Sequence, residues 1–332
     1  MISKMPIVDL HCDLLSYLTE IEEADIDNVH DIGCSLPFLK AGNVKMQVLA
    51  VYSGTEQGSA DYAMAQVPAY EELIKQKPFM PATSFQTAQW LMDSKAVGVV
   101  MAIENASGLA EENEPLQKAF DRIDYMLDHV GKLLYMSFTH HWENRFGGGN
   151  YSEAGLKPDG EKLLEFIAGK QIAVDLSHSS DALGFGILDY IIKNNLDVPV
   201  MASHSNFRTK WNHVRNLTDE MAQEIIRRKG VIGINFLREY VDRKNPNTLL
   251  DHIIYGLANG AEDALCFGAD YFYVHSIKDP KRIPLFFRQH ENATAYHPVL
   301  EQLRERGVST EHLNAISHRN ALNFFERLWG HG

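Results

Sequence analysis

The strongest constraint on the fold is the regular recurrence of short apolar runs separated by segments of helical spacing. Eight such runs occur: Ile7 to Leu10, Lys45 to Tyr52, Ala96 to Ile103, Leu133 to Phe138, Ile172 to Leu176, Val198 to Ala202, Val231 to Phe236 and Ala264 to Ala269. The third, AVGVVMAI, is continuously apolar, the pattern of a strand buried on both faces. Helices are predicted over Tyr62 to Gln76, Thr87 to Ser94, Pro115 to Val130, from a cap at Asp159 to Gly169, over Asp181 to Asn194, onward from a cap at Thr218, and over Leu249 to Asn259, Pro298 to Arg306 and Thr310 to Trp329. Residues 78 to 85, which include Pro78 and Pro81, read as a connector. Eight strands alternating with helices are the pattern of an α/β chain closed into a (β/α)8 TIM barrel, here one domain over residues 1 to 332. An open doubly wound sheet would need a Gly-rich first strand-to-helix turn. That turn is His11-Cys12-Asp13-Leu14-Leu15.

In such a barrel, function sits at the carboxyl ends of the strands. Those ends offer His11 and Asp13, Glu104, His140, His178, His204 and Asp270, so six of the eight carry a His or a carboxylate. Imidazoles and carboxylates bind divalent metal, and a set without thiolates suits a catalytic rather than a structural zinc site. The set exceeds what one tetrahedral ion needs. Two ions sharing Glu104 would use all of it, hold a water between them and polarise a carbonyl.

The ordered motifs Asp9-Leu10-His11-Cys12-Asp13, Ile103-Glu104, Ser137-Phe138-Thr139-His140, Asp175-Leu176-Ser177-His178-Ser179, Ser203-His204-Ser205, Arg215-Asn216-Leu217-Thr218-Asp219 and Gly268-Ala269-Asp270-Tyr271 run through nearly the whole chain. In this order they resemble the membrane dipeptidase (renal dipeptidase-like) metallopeptidases of the amidohydrolase superfamily. The resemblance implies two Zn2+ per chain, one held by His11 and Asp13, the other by His178 and His204, with Glu104 bridging. It implies that His140 contacts the scissile carbonyl, that Asp270 moves the proton of a metal-bridging hydroxide to the leaving amine, and that Arg215 clamps the terminal carboxylate of a dipeptide. Tolerance of a D-residue on the C-terminal side and a homodimer follow from the same resemblance. Two positions depart from it: Asn105-Ala106 stand where the family shows Gly-Gly, and Phe272 where it shows a second Asp. The alternatives are another small amide, an N-acyl amino acid or a lactone as substrate, or an inactive barrel kept for binding.

Plainer readings stand beside these. A strand's period of two puts Asp9 on the face of His11, one layer below it, and turns Cys12 away into packing. The same period lets only one of His140 and His141 face inward. Arg215 could be a solvated charge or a partner of Asp219. Gly147-Gly148-Gly149 lacks a following Lys-Ser/Thr and reads as a mobile active-site loop, not a phosphate cradle. His213, His275 and His318 read as surface or core residues. A net charge of −13 with no basic cluster argues against nucleic acid as a partner. No membrane partner is expected either, because the chain shows no leader pattern, no long apolar stretch and no lipid-anchor tail. With three unpatterned cysteines, a cytoplasmic location is expected.

Overall fold

A computed structural model describes residues 2 to 330. Nine parallel strands form: β1 (Ile7–Cys12), β2 (Val44–Tyr52), β3 (Phe79–Pro81), β4 (Val97–Glu104), β5 (Leu133–Ser137), β6 (Ala173–Asp175), β7 (Val200–Met201), β8 (Ile232–Ile234) and β9 (Leu265–Phe267). Eight of them run in the order β7, β6, β5, β4, β2, β1, β9, β8. The remaining seam is closed by Ala202 N donating to Val231 O and Gly233 N donating to Ala202 O. The ring is a (β/α)8 barrel, and helices follow its strands.

The ninth strand, β3, falls within the predicted connector. It pairs with Val97 to Val99 of β4, on the edge that β5 joins only from Met101 onward. Proline is tolerated at such a short edge piece, so its presence did not exclude a strand.

Side chains alternate between two cores. Val8, Leu10, Met46, Val48, Val100, Ala102, Leu134, Tyr135, Ala173, Met201 and Cys266 fill the barrel. Ile7, Cys12, Leu49, Val51, Ile103, Val174 and Phe267 face the helices outside. The barrel's lower mouth is closed by Ala321, Phe324, Phe325, Leu328 and Trp329 of the last helix (Asn320–Trp329). That helix is reached through a wider turn at Ala315–Arg319, so the single helix expected from Thr310 is interrupted. Thr218 caps its helix by accepting from Met221 N, as its position suggests. Asp159 is not a cap, because the helix Pro158–Ile167 already starts at the residue before it, on the fixed φ of its proline. All three cysteines are buried and free.

Candidate metal centre and active site

The first strand does not keep a period of two to its end. Asp9 pairs with Gln47 and Cys12 with Leu49, so three steps along β1 match two along β2. This is a bulge. Leu10 and His11 consequently both turn inward, Cys12 turns out, and Asp13 returns to the site. The expectation that Asp9 shares His11's face is corrected: Asp9 lies outside the barrel wall. Its Oδ1 accepts from His11 N (2.9 Å) and Gln47 Nε2 (2.9 Å), and its Oδ2 accepts from Ala269 N (2.9 Å) and the Tyr296 hydroxyl (2.6 Å). A fully buried carboxylate thus receives four donors and holds the bulge that aims His11.

Glu104 closes β4 at the centre of the barrel mouth. Its Oε1 lies 3.0 Å from His178 Nε2 and 3.4 Å from His204 Nε2, and its Oε2 lies 3.5 Å from His11 Nε2. Around His11 Nε2 stand Asp13 Oδ1 at 3.8 Å and Asp270 Oδ1 at 3.7 Å. The structure therefore gathers His11, Asp13, Glu104, His178, His204 and Asp270 into one buried cluster, in interlocking groups whose ligand atoms lie within 4.8 Å of one another.

Backbone strain accompanies this convergence. His178 (φ 65), Asp270 (φ 67) and Asn105 (φ 80), next to Glu104, all adopt the left-handed region that non-glycine residues avoid. At position 105 this accounts for glycine as the family's usual residue. Asparagine tolerates the conformation and adds hydrogen bonds: Nδ2 donates to Ser53 O and Gly54 O (both 2.9 Å), and Oδ1 accepts from Ser107 N and Asn144 Nδ2. The residue is fully buried, a joint behind the site and not part of its lining.

Counting protons fixes two imidazoles. The Tyr135 hydroxyl donates to Leu10 O (3.1 Å), so at 2.6 Å from His11 Nδ1 it must accept, and Nδ1 carries the hydrogen. His178 Nδ1 lies 3.3 Å from Asn150 Oδ1, an acceptor it shares with His141 Nδ1 at 3.0 Å. In both rings Nε2 is then the nitrogen that faces Glu104.

The electrostatics call for positive charge at this point. Burial opposes a charge on His11, yet the Glu104, Asp13 and Asp270 carboxylates outweigh it and push its pKa up to about 10. Burial, and next the charge of Glu104, hold the Asp13 carboxyl well above its usual range. His178 Nε2 and His204 Nε2 stand 3.0 Å apart, and the buried His11 Nε2 and Asp13 Oδ1 have no hydrogen-bond partner. Facing lone pairs, orphaned ligand atoms and clustered carboxylates fit divalent cations, with Glu104 able to serve both halves.

The remaining residues surround this cluster. Asp270 accepts from Asn235 Nδ2 (2.8 Å), and burial raises its pKa to about 6. The rings of both His140 and His141 approach His178, with centroids 4.2 and 5.0 Å away. Only one was expected inward, but β5 ends at Ser137 and strand alternation does not extend past it. Burial, reinforced by His141, lowers the pKa of His140 to about 3, so it is neutral.

Arg215 is 3% exposed. It donates to Ser205 Oγ (2.7 Å) and His204 O (3.0 Å) and lies over the Tyr240 ring. Its Nε is unpaired, and no carboxylate forms an ion pair with it among the described residues. Asp219 instead accepts from Thr209 and Tyr255. Phe272, where the family shows Asp, packs against Phe286. Gly147 and Gly148 are needed for close packing, because a Cβ there would strike Leu183 and the Ala154 backbone.

Sequence reasoning gave no role to Tyr135, Asn150 or Asn235. Each is an ordinary polar residue in sequence, and its use depends on contacts made across the barrel. The one available signal was a polar group on or beside a strand otherwise facing the core.

The chain matches the model of the membrane dipeptidase family, peptidase family M19, over residues 1–328. An uncharacterized dipeptidase of Schizosaccharomyces pombe is 25% identical over 243 residues, 70% of this chain and 53% of that protein. The chain spans between 43% and 63% of the length of the curated relatives it matches. Among solved structures, the dipeptidase AC of family M19 is similar with a TM-score of 0.83 at 19% identity, covering 98% of this chain and 99% of that one. A metallopeptidase from Rhodobacter sphaeroides, liganded with a phosphinate mimic of the dipeptide L-Ala-D-Ala, has a TM-score of 0.81 at 18% identity with the same coverage. With a family match over almost its full length, the chain belongs to the membrane dipeptidase family, peptidase family M19.

Proposed function

We propose that the protein is a metal-dependent dipeptidase that hydrolyses the single amide bond of L,L and L,D dipeptides. The observation that carries this reading is the convergence of six ligand-type side chains with Glu104 among them, at a position between His11/Asp13 and His178/His204. In this reading His11 and Asp13 would hold one Zn2+, His178 and His204 would hold a second, and Glu104 would serve both. Bound there, two divalent ions supply Lewis acidity and an activated water.

The chain's own groups supply the rest. Asp270, with its pKa near neutrality and Oδ1 open toward the cluster, takes the proton of the attacking water at the carboxylate and returns it to the leaving amine. His140 is neutral and donates a hydrogen bond to the oxygen on which negative charge develops. Arg215, buried and without a carboxylate partner among the described residues, takes the substrate's terminal carboxylate. A longer peptide has no carboxylate at that point, so the clamp selects short substrates. The L-Ala-D-Ala mimic bound by the Rhodobacter sphaeroides metallopeptidase supports L,D substrates. A cytoplasmic location is supported by the three free, buried cysteines, and no helix among the described residues is long and apolar enough to cross a membrane. A homodimer rests on the family resemblance alone.

The test is to load the protein with zinc, count bound ions, and follow free-amine release over a panel of L,L and L,D dipeptides. Two ions per chain with release from some members is the expected result. Two bound ions with no hydrolysis of any member would refute the dipeptidase reading.

A further inference from the structure

The motifs around His178 and His204 contain polar residues that neither bind metal nor reach substrate in the reading above. Asp175, Ser177, Ser203 and Ser205 are at most 1% exposed, as is Ser137 on β5. Asp175, the last residue of β6, receives four donors. Its Oδ1 accepts from Ser177 N (3.0 Å) and Ser203 N (2.7 Å), and its Oδ2 accepts from Ser137 Oγ (2.6 Å) and Ser203 Oγ (2.7 Å). One carboxylate thus gathers the ends of β5, β6 and the segment after β7.

Ser203 has a single hydroxyl hydrogen, and a carboxylate filled with donors accepts it. At 2.6 Å from His204 Nδ1, Ser203 Oγ is left as the acceptor, so Nδ1 carries the imidazole hydrogen and Nε2 keeps its lone pair. That lone pair is the one facing Glu104 and His178. Ser203 is itself held in place. Gly233 of β8 and Gly268, the residue after β9, press on its carbonyl, and a Cβ on either would overlap the carbonyl oxygen. Ser177 Oγ accepts from His204 N (3.1 Å) and meets Ser205 Oγ (3.0 Å), which accepts from Arg215.

We infer that Asp175 is a positioning residue that acts through Ser203 to hold His204 in its Nδ1–H tautomer, keeping Nε2 available for the metal held by His178 and His204. This rests on the two-metal reading of the site. The two substitutions have different consequences. Ser203→Ala removes the acceptor and releases the tautomer. Asp175→Asn places an amide N–H against Ser203 Oγ, turns the serine hydroxyl toward Nδ1, and drives the hydrogen to Nε2, where it blocks metal.

The first readout needs no metal. Nitrogen-15 NMR of histidine-labelled, metal-free protein should show His204 protonated at Nδ1 in the wild type and Ser203→Thr, mixed in Ser203→Ala, and shifted toward Nε2–H in Asp175→Asn. The second readout is chelator competition on zinc-loaded protein. One of the two ions should weaken by about 10- to 100-fold in Ser203→Ala and further in Asp175→Asn, while the other stays within threefold and Ser203→Thr restores both. An unchanged tautomer in both damaging variants, or equal weakening of both ions, would overturn the inference. If the wild type fails to bind two ions, the metal reading has failed, and the tautomer measurement still decides this one.

Discussion

At the residue scale, the site depends on buried charges that the protein leaves unmatched. Among the described residues Arg215 has two neutral acceptors and a ring for company, and no carboxylate. A guanidinium buried this way is poised for an anion, and its planar fork fits a carboxylate in a way an ammonium does not. Arg215→Ala should therefore lower kcat/KM for free dipeptides by roughly a hundredfold or more, about 3 kcal/mol. Arg215→Lys should recover little. The same variants should be nearly unchanged on dipeptides whose terminal carboxylate is amidated, which assays of both substrate sets will read. Asp270 is held differently: Asn235 anchors Oδ2, and burial keeps its pKa at about 6. On the proposed mechanism Asp270→Asn retains the shape and loses the base, so kcat should fall by about 10²- to 10⁴-fold while the metal content stays unchanged. Steady-state kinetics with metal analysis on the same sample separates those effects.

At the element scale, side-chain oxygens that capture the backbone two residues on decide where strands end. Asp9 accepts from His11 N, Asn105 from Ser107 N, Asp175 from Ser177 N and Asn235 from Leu237 N. Each lies at or just past the end of a barrel strand, or in the bulge that precedes it. The alternation that would have carried Asp9 inward and His11 with it gives way because the Asp9 carboxylate offers His11 N a local partner. Asp9→Asn keeps the shape but turns one amide N–H toward Ala269 N and the Tyr296 hydroxyl. It should cost about 1–3 kcal/mol, read as a lower urea midpoint with little change in slope. On the proposed two-ion reading it should also weaken metal binding at His11 and Asp13 more than at His178 and His204.

At the scale of the whole molecule, the loop carrying Arg215 is tied to the outer helices through His252. That histidine is fully buried, accepts from Phe207 N at Nδ1 (3.2 Å) and donates from Nε2 to Val241 O (3.1 Å), a pattern only the neutral ring satisfies. Burial lowers its pKa to about 4. The unfolded chain therefore takes up a proton near pH 6.5 that the folded chain refuses until about pH 4. Stability from this group is complete above pH 6.5 and is lost as pH falls through that window, at about 1.4 kcal/mol per pH unit. His252→Asn should reduce the pH slope of the unfolding free energy by about one proton's worth between pH 6 and 4.5. Urea titrations at several pH values will show whether it does.

The sequence by itself determined the eight strands of the ring and their order, though not the short edge strand β3, and with them the end of the barrel at which chemistry resides and the set His11, Asp13, Glu104, His178, His204 and Asp270 that gathers there. Strand hydrophobicity and strand-end position are local properties, written in consecutive residues, so they survive reading one residue at a time. Only the tertiary structure decided which way these side chains face. The β1 bulge sends Asp9 out, the end of β5 at Ser137 lets both His140 and His141 face in, and Asn105 becomes a buried joint. Tyr135, Asn150, Asp175 and Ser203 acquire their work in the same way, from partners between 1 and 125 residues away in sequence. Such roles arise from hydrogen-bond donors and acceptors meeting across a closed barrel, where burial favours pairing of polar atoms, and the pairing exists only once the strands are side by side.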